Sequence, residues 1–226
     1  MNKNNDLLKR YERKWVFDSI DHNQLFILLN RSNFSFANQF VDRKVNSIYF
    51  DDEHHTAIRQ NIDGVSEKKK YRLRWYGDFR NIINPTFEIK NKKGFEVSKK
   101  NFELPEMLNY NLLDYNHIEK IELLINNKFN FKHKLFAILT THYLRSYFIS
   151  SNNLVRSTVD RNLKSLLLYN NRNLNIIKEY KDIILEFKYD LNLDEYVRKN
   201  IGNISSRFSK NSKFINAATI TPDTLA

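Results

Sequence analysis

The sequence contains no cysteine. That absence removes disulfides, thiol nucleophiles and Cys-based zinc sites together, and it is compatible with a reducing compartment. Only 4 glycines and 3 prolines occur in 226 residues, and none form a flexible linker between domains. Long apolar runs are missing as well. The longest, around Leu135–Leu139 and Leu166–Tyr169, fall far short of the ~20 residues a membrane helix needs. The stretch from Met1 to Arg10 is polar and lacks the apolar segment of a secretory signal. No internal repeat is visible. These gaps lead to the expectation of one cytoplasmic domain over residues 1–226, with about 217–226 as a frayed tail because no pattern continues past Ala217.

What is present is apolar material and positive charge. Hydrophobic residues make up 41% of the chain, enough to build a core and to exclude disorder for most of it. Lysine and arginine total 37 against 26 acidic residues, a formal charge of +11. Such an excess attracts an anionic partner: nucleic acid, phosphorylated metabolites, polyphosphate or an acidic membrane surface.

The hydrophobic pattern reads as many strands interrupted by a few helices. Strands are expected at Arg10–Phe17, Val45–Phe50, Lys69–Tyr76, Thr86–Asn91, Phe95–Phe102, Leu135–Ile149, Leu154–Asp160, Ser165–Tyr169 and Asp182–Tyr189. Helices are expected from about Asp21 to Arg31, with Asp21 as cap, and from Leu104 to Asn127, with Ile118, Ile121, Leu124 and Ile125 on one face. Shorter ones fit Glu53–Asn61 and Leu193–Asn200. Few β-α-β alternations occur, so the expected class is α+β: a mostly antiparallel sheet or barrel with helices packed outside.

The charges fall on particular strand faces. Because side chains alternate along a strand, Lys70, Arg72 and Arg74 share one face while Tyr71, Leu73 and Trp75 share the other. The same spacing sets Glu88 and Lys90 opposite Phe87 and Ile89, and Glu186 and Lys188 opposite Leu185, Phe187 and Tyr189. Glu12 and Lys14 lie opposite Arg13 and Trp15, and Tyr143 lies with Arg145. One such strand is ordinarily the solvated face of a half-buried sheet. Across five strands that reading weakens, because like charges in rows need a counter-anion or nearby carboxylates. If the sheet curls, the faces converge into a basic tunnel able to grip a triphosphate or a longer chain, with its few Glu holding a bridging divalent metal. A further basic cluster spans Ser206 to Phe214; it is a solvated loop or a phosphate clamp.

Other tempting residues carry little. His54 and His55 lack a third ligand at a suggestive spacing, and His117, His133 and His142 are scattered. Ser157 and Thr158 have no identifiable base.

The ordered segments resemble a known family. They are Tyr11-Glu12-Arg13-Lys14, Ser47-Ile48-Tyr49-Phe50-Asp51, Tyr71-Arg72-Leu73-Arg74-Trp75-Tyr76-Gly77 and Phe87-Glu88-Ile89-Lys90. Tyr143-Leu144-Arg145, Asp160-Arg161, Leu185-Glu186-Phe187-Lys188 and Ser209-Lys210-Asn211-Ser212-Lys213-Phe214 complete the series. Together they resemble the catalytic domain of the vacuolar transporter chaperone (VTC) polyphosphate polymerases, a branch of the triphosphate tunnel metalloenzymes. The resemblance implies an antiparallel eight-stranded barrel enclosing a basic tunnel. It implies that Lys14, Arg72, Arg74, Lys90, Arg145 and Arg161 bind the nucleotide triphosphate and the polymer, with Tyr143 and Lys188 also contacting phosphate. Glu186 would coordinate Mn²⁺ or Mg²⁺, and Lys210, Ser212 and Lys213 would close over the phosphates. The wider superfamily opens with Glu-x-Glu-x-Lys, whereas here the spacing supplies Arg10, Glu12 and Lys14. One metal carboxylate is therefore absent from that strand, which argues against a two-metal triphosphatase.

The implied activity is ATP-dependent polyphosphate synthesis, with ATP and inorganic polyphosphate as partners. With no transmembrane segment in the sequence, synthesis and translocation would not be coupled within this chain, and a membrane partner for the product stays open. Two alternatives stay open. One is a triphosphatase acting on tripolyphosphate or a nucleotide. The other is a non-catalytic binder of polyphosphate or nucleic acid, in which Arg74-Trp75-Tyr76 and Arg145-Ser146-Tyr147 stack bases on an open basic face. An enclosed face disfavours nucleic acid.

Overall fold

A computed structural model describes residues 10–93, 96–104, 110–111, 115–168, 177–204, 209 and 211–218. Its frame is one large antiparallel sheet built from β1 (Arg10–Phe17), β2 (Ala37–Asp51), β3 (Glu67–Tyr76), β5 (Thr86–Lys93), β6 (Glu96–Glu103), β8 (Phe136–Ile149), β9 (Arg156–Leu167) and β11 (Ile183–Asp190). The strand order is β1-β11-β9-β8-β2-β3-β5-β6, and β10 (Ile177–Tyr180) adds to β9. The short pair β4 (Asn81–Ile82) and β7 (Tyr110–Asn111) stands apart. Helices are α1 (His22–Arg31), α2 (Thr56–Ile62), α3 (Tyr115–Lys128), α4 (Asp194–Asn200) and α5 (Lys213–Ala218). Among the described residues no helix is long and apolar enough to cross a membrane.

The sheet curls into a tunnel, as one contact demonstrates. From β1 to β5 the strand order runs through six spacings, roughly 28 Å if the sheet were flat. Instead Lys90 of β5 reaches Glu12 of β1 at 3.0 Å. The expected eight-stranded antiparallel architecture is thus present, but backbone hydrogen bonds do not close it among the described residues. Side chains bridge the seam.

The curl is stabilised from outside. Trp15, Val159, Leu185 and Phe187 on the outer face pack against Leu25 and Leu29 of α1 and against Val197 of α4. Asp21 caps α1 by accepting from the Gln24 amide, while the Gln24 side chain accepts from the Asp21 amide. On the opposite wall Leu73, Trp75 and Phe87 pack on Ile118, Ile121 and Ile125 of α3. Most apolar strand residues therefore point outward to helices, and the charged faces line the interior together with a small buried cluster that includes Val45, Tyr143 and Ile184. α5 is the exception to helices lying outside. Its Phe214 stacks on Tyr49, ring centroids 5.0 Å apart, on the inner side of β2.

Four expectations change. β2 begins at Ala37, not Val45, because residues 37–44 have little apolar alternation and are held by irregular pairing with β8. β9 is continuous where two strands were expected; a bulge with Asn162 at φ 54° joins them. The helix expected from Leu104 starts at Tyr115, since Pro105 disfavours helix at Leu104 and Tyr110–Asn111 pairs with β4. Ala217 and Ala218, the first residues of the expected tail, are buried in α5, and 219–226 lie outside the described residues.

Candidate functional site

Among the described residues, four carboxylates organise the tunnel interior, each paired with at least one cation from another element. Glu88 of β5 is 2% exposed and accepts from Arg72 and Arg74 of β3 and from Lys99 of β6. Arg72 approaches through Nε at 2.9 Å and Lys99 at 2.7 Å. Burial alone would raise the Glu88 carboxyl, but Arg72, then Arg74 and Lys99, bring it down to about 2. Asp160 of β9 accepts from Arg145 across the strand pair at 2.7 Å and pairs with Lys213 of α5 at 2.6 Å. There too burial is outweighed, and the carboxyl falls to about 2. Tyr143 lies beneath both cations, its ring 5.2 Å from Arg145 and 4.8 Å from Lys213, and burial pushes its phenol up to about 12.

Glu186 of β11 accepts from Lys188 at 2.9 Å and pairs with Lys14 of β1 at 3.8 Å. Burial opposes its charge, but Lys188, Lys14 and Arg145 hold it well below the usual carboxylate range. Glu12 completes the set by binding Lys90 across the seam. Its carboxyl is lowered as Lys90 and Lys188 outweigh burial and the repulsion of Glu186.

Lys70 is different. Among the described residues it pairs with no carboxylate; its ammonium donates to Ser212 at 3.0 Å and lies over the Phe214 ring at 5.7 Å. Burial first, then repulsion from Lys14 and Lys90, pulls it down to about 7. A lysine depressed in this way is charged below pH 7 and neutral above it. A bound anion restores the charge, so anion binding takes up a proton above pH 7. Tripolyphosphate affinity is therefore expected to rise as pH falls from 9 towards 7, by up to about tenfold per pH unit, and then to level off. Lys70→Gln is expected to flatten that rise; calorimetric titrations of both proteins from pH 6 to 9 provide the check.

The interior suits a metal only in one sense. Among the described residues no cluster of three or more His, Cys, Asp or Glu side chains could cage an ion. Glu186 is nonetheless ionised, nearly buried and already attracts two ammonium groups, and Glu12 lies within electrostatic reach of it. Mg²⁺-type ions are commonly held by one or two carboxylates together with substrate phosphates. The donors present fit a divalent ion that arrives with its phosphate ligand.

Lys14, Arg72, Arg74, Lys90, Tyr143, Arg145, Glu186, Lys188, Ser212 and Lys213 all reach this interior. Arg161 does not. It follows the inward-facing Asp160, so alternation turns it to the outer face, where it donates to Ser146 and Asp42 at 2.7 Å. Lys210 lies outside the described residues. Alternation sets Glu12 and Glu88 on charged faces but does not show which cations they hold, and Asp160 and Lys99 are not among the expected site residues. For Asp160 the available signal was its place one residue before Arg161; for Lys99, its position in the strand after Lys90.

α5 and the residues before it are held against the inner side of the sheet. Lys14 donates to the Asn211 carbonyl at 3.1 Å, the Ser209 amide donates to the Lys14 carbonyl at 2.9 Å, and Tyr180 donates to the Asn216 carbonyl at 2.9 Å. The segment is thereby tied to β1, β9, β10 and, through Tyr49, β2.

A candidate adenylate cyclase from Vibrio parahaemolyticus is 12% identical, covers 86% of this chain and 85% of its own, and superposes with a TM-score of 0.49. A second, from Bacillus halodurans, is 15% identical over 89% and 93% of the two chains, with a TM-score of 0.49. A Hippeastrum protein studied as a candidate adenylyl cyclase, with a dominant triphosphatase activity, is 11% identical over 94% and 98%, with a TM-score of 0.45. No curated protein matches the sequence. The VTC domain family model matches residues 9–221, nearly the whole length, and the chain belongs to that family.

Proposed function

We propose that this chain is a metal-dependent phosphotransferase that extends inorganic polyphosphate with the γ-phosphate of ATP inside the tunnel. One observation carries the reading: cations from six strands and α5 converge in one enclosed space where their counter-ions are carboxylates. An entering phosphate chain can take over those cations. VTC family membership supports polymer synthesis as the outcome.

In the proposed reaction a terminal oxygen of the chain attacks the γ-phosphorus of ATP in line. A new P–O–P bond forms, the bond between the β- and γ-phosphates breaks, and ADP leaves with the electron pair. Phosphoryl transfer asks mainly for positioning and charge neutralisation. Arg72 and Arg74 present planar forks suited to phosphate oxygens, and Arg145, Lys14 and Lys188 neutralise charge from the facing wall. Mn²⁺ or Mg²⁺ held by Glu186 and Glu12 would further neutralise the phosphates. No protein base is required at the attacking oxygen, which is already anionic.

A triphosphatase is the second reading, and α5 favours it. A helix packed on the inner side, with Phe214 on Tyr49 and Lys213 on Asp160, takes up room that a long chain would need. Incubating purified protein with ATP and Mn²⁺, with and without a short phosphate primer, separates the two by gel. A ladder of chains with stoichiometric ADP supports polymerisation. Orthophosphate without chains selects hydrolysis, and neither product from ATP or tripolyphosphate rejects both.

A further inference from the structure

We infer that the open mouth of the tunnel carries a nucleobase platform made by Phe40, Tyr76 and Tyr147 around Arg43. The inference rests on the proposed binding of a nucleotide triphosphate in the tunnel. The Arg43 guanidinium carbon lies 5.6 Å from the Phe40 ring centroid, 5.7 Å from Tyr76 and 5.7 Å from Tyr147. Phe40 and Tyr147 meet edge to face at 5.9 Å. The Tyr76 ring also lies 5.7 Å from Arg74, the same side chain whose guanidinium grips Glu88 further in. Tyr76 therefore joins the aromatic cluster to the row of cations expected to hold phosphate.

The location selects the occupant. Phe40 and Arg43 lie on the first half of β2, whereas Phe214 of α5 stacks on Tyr49 near its far end, roughly 25 Å along the strand. Tyr76 is the last residue of β3 and Tyr147 lies two residues before the end of β8, so the aromatic cluster stands at one end of the tunnel. Phe40 is 50% exposed and Tyr76 45% exposed, so both present ring surface to solvent. Arg43 faces Arg145 across the β2–β8 pair, a like-charge pairing. Asp160 compensates Arg145, but among the described residues Arg43 has rings and no carboxylate as partners.

A polyphosphate chain has no use for exposed rings. A nucleoside triphosphate does: its phosphates enter among Arg74 and Arg72, while its neutral, planar base stays at the mouth. Stacking on an aromatic face suits any base, and a guanidinium adds a second flat partner. The platform distinguishes the nucleotide donor from the inorganic chain that shares its phosphate chemistry. Trp75, the other aromatic of that strand, takes no part, because it is buried outside against α3.

The test compares two ligands on the intact chain by calorimetry with Mn²⁺ present: the non-hydrolysable β,γ-imido analogue of ATP, and tripolyphosphate. Phe40→Ala and Tyr76→Ala are each expected to weaken the analogue about tenfold and to leave tripolyphosphate unchanged. Tyr76→Phe, which keeps the ring, should bind both ligands as the parent does. Both rings are half exposed, and equal melting temperatures will show that the variants fold. Equal losses for both ligands, or no loss for the analogue, overturn the platform. If the parent protein binds tripolyphosphate but not the analogue, the platform is rejected while the tunnel stands. If it binds neither, the tunnel reading itself fails and the platform with it.

Discussion

Glu186→Gln is expected to lower metal-dependent turnover by about 10³-fold, because a divalent ion contributes several kcal/mol of charge stabilisation in phosphoryl chemistry. The same change is expected to tighten tripolyphosphate binding when no metal is present. The two signs follow from one environment. Glu186 is 6% exposed and stays ionised because Lys188, Lys14 and Arg145 surround it. On the proposed reading that carboxylate would draw a metal ion in, yet it repels phosphate and occupies two ammonium groups that phosphate could use. An amide of the same shape removes the charge and releases Lys14 and Lys188 to the ligand. Initial rates over a Mn²⁺ series, with calorimetry of tripolyphosphate in a chelator, measure both effects. Unchanged metal dependence in the variant would place the ion elsewhere. Weaker metal-free binding would show that Glu186 organises the lysines and does not compete for them.

The parts of this site that alternation governs were legible in the sequence. Lys70, Arg72 and Arg74 face inward because Leu73 and Trp75 are drawn outward to α3, and a period of two is all that inference needs. The pairs Glu12 with Lys14 and Glu186 with Lys188 follow by the same step. What alternation cannot supply is who meets whom. Glu88 holds cations from the strands on both sides of it, which depends on the order β3-β5-β6. The meeting of Lys90 with Glu12 depends on how far the sheet curls. Arg161 was drawn in as a cation within a matching segment, although its own neighbour, Asp160, takes the inward position. α5 was missed for a related reason. Its six residues are too few to show a helical stripe, and what seats it is Tyr49, far away in sequence.

Glu88→Gln is expected to be the most destabilising change in the interior, by about 3–5 kcal/mol, the usual cost of removing one partner from a buried ion pair. An independent route gives a similar figure. A carboxyl that titrates at about 2 in the fold and at its ordinary 4.5 when unfolded contributes roughly 3 kcal/mol of stability at neutral pH. The sign is that of a depressed acid: the contribution is complete above pH 4.5 and is lost as pH falls through about 2. The deficit of the variant should therefore be constant from pH 5 to 8 and shrink progressively below pH 4.5, because protonation makes the parent resemble the variant. Near neutrality the melting temperature should fall by about 10 °C for a chain of this size. The cause would be Arg72, Arg74 and Lys99 left facing one another without their shared anion. Tripolyphosphate should then stabilise Glu88→Gln more than the parent protein, since the ligand replaces a missing charge in one and competes with an existing charge in the other. Thermal melts of both proteins across a tripolyphosphate series decide the matter. Equal stabilisation of the two would mean that the ligand never reaches the arginines of β3, and the phosphate path would have to be drawn along the opposite wall, through Lys14, Arg145 and Lys188.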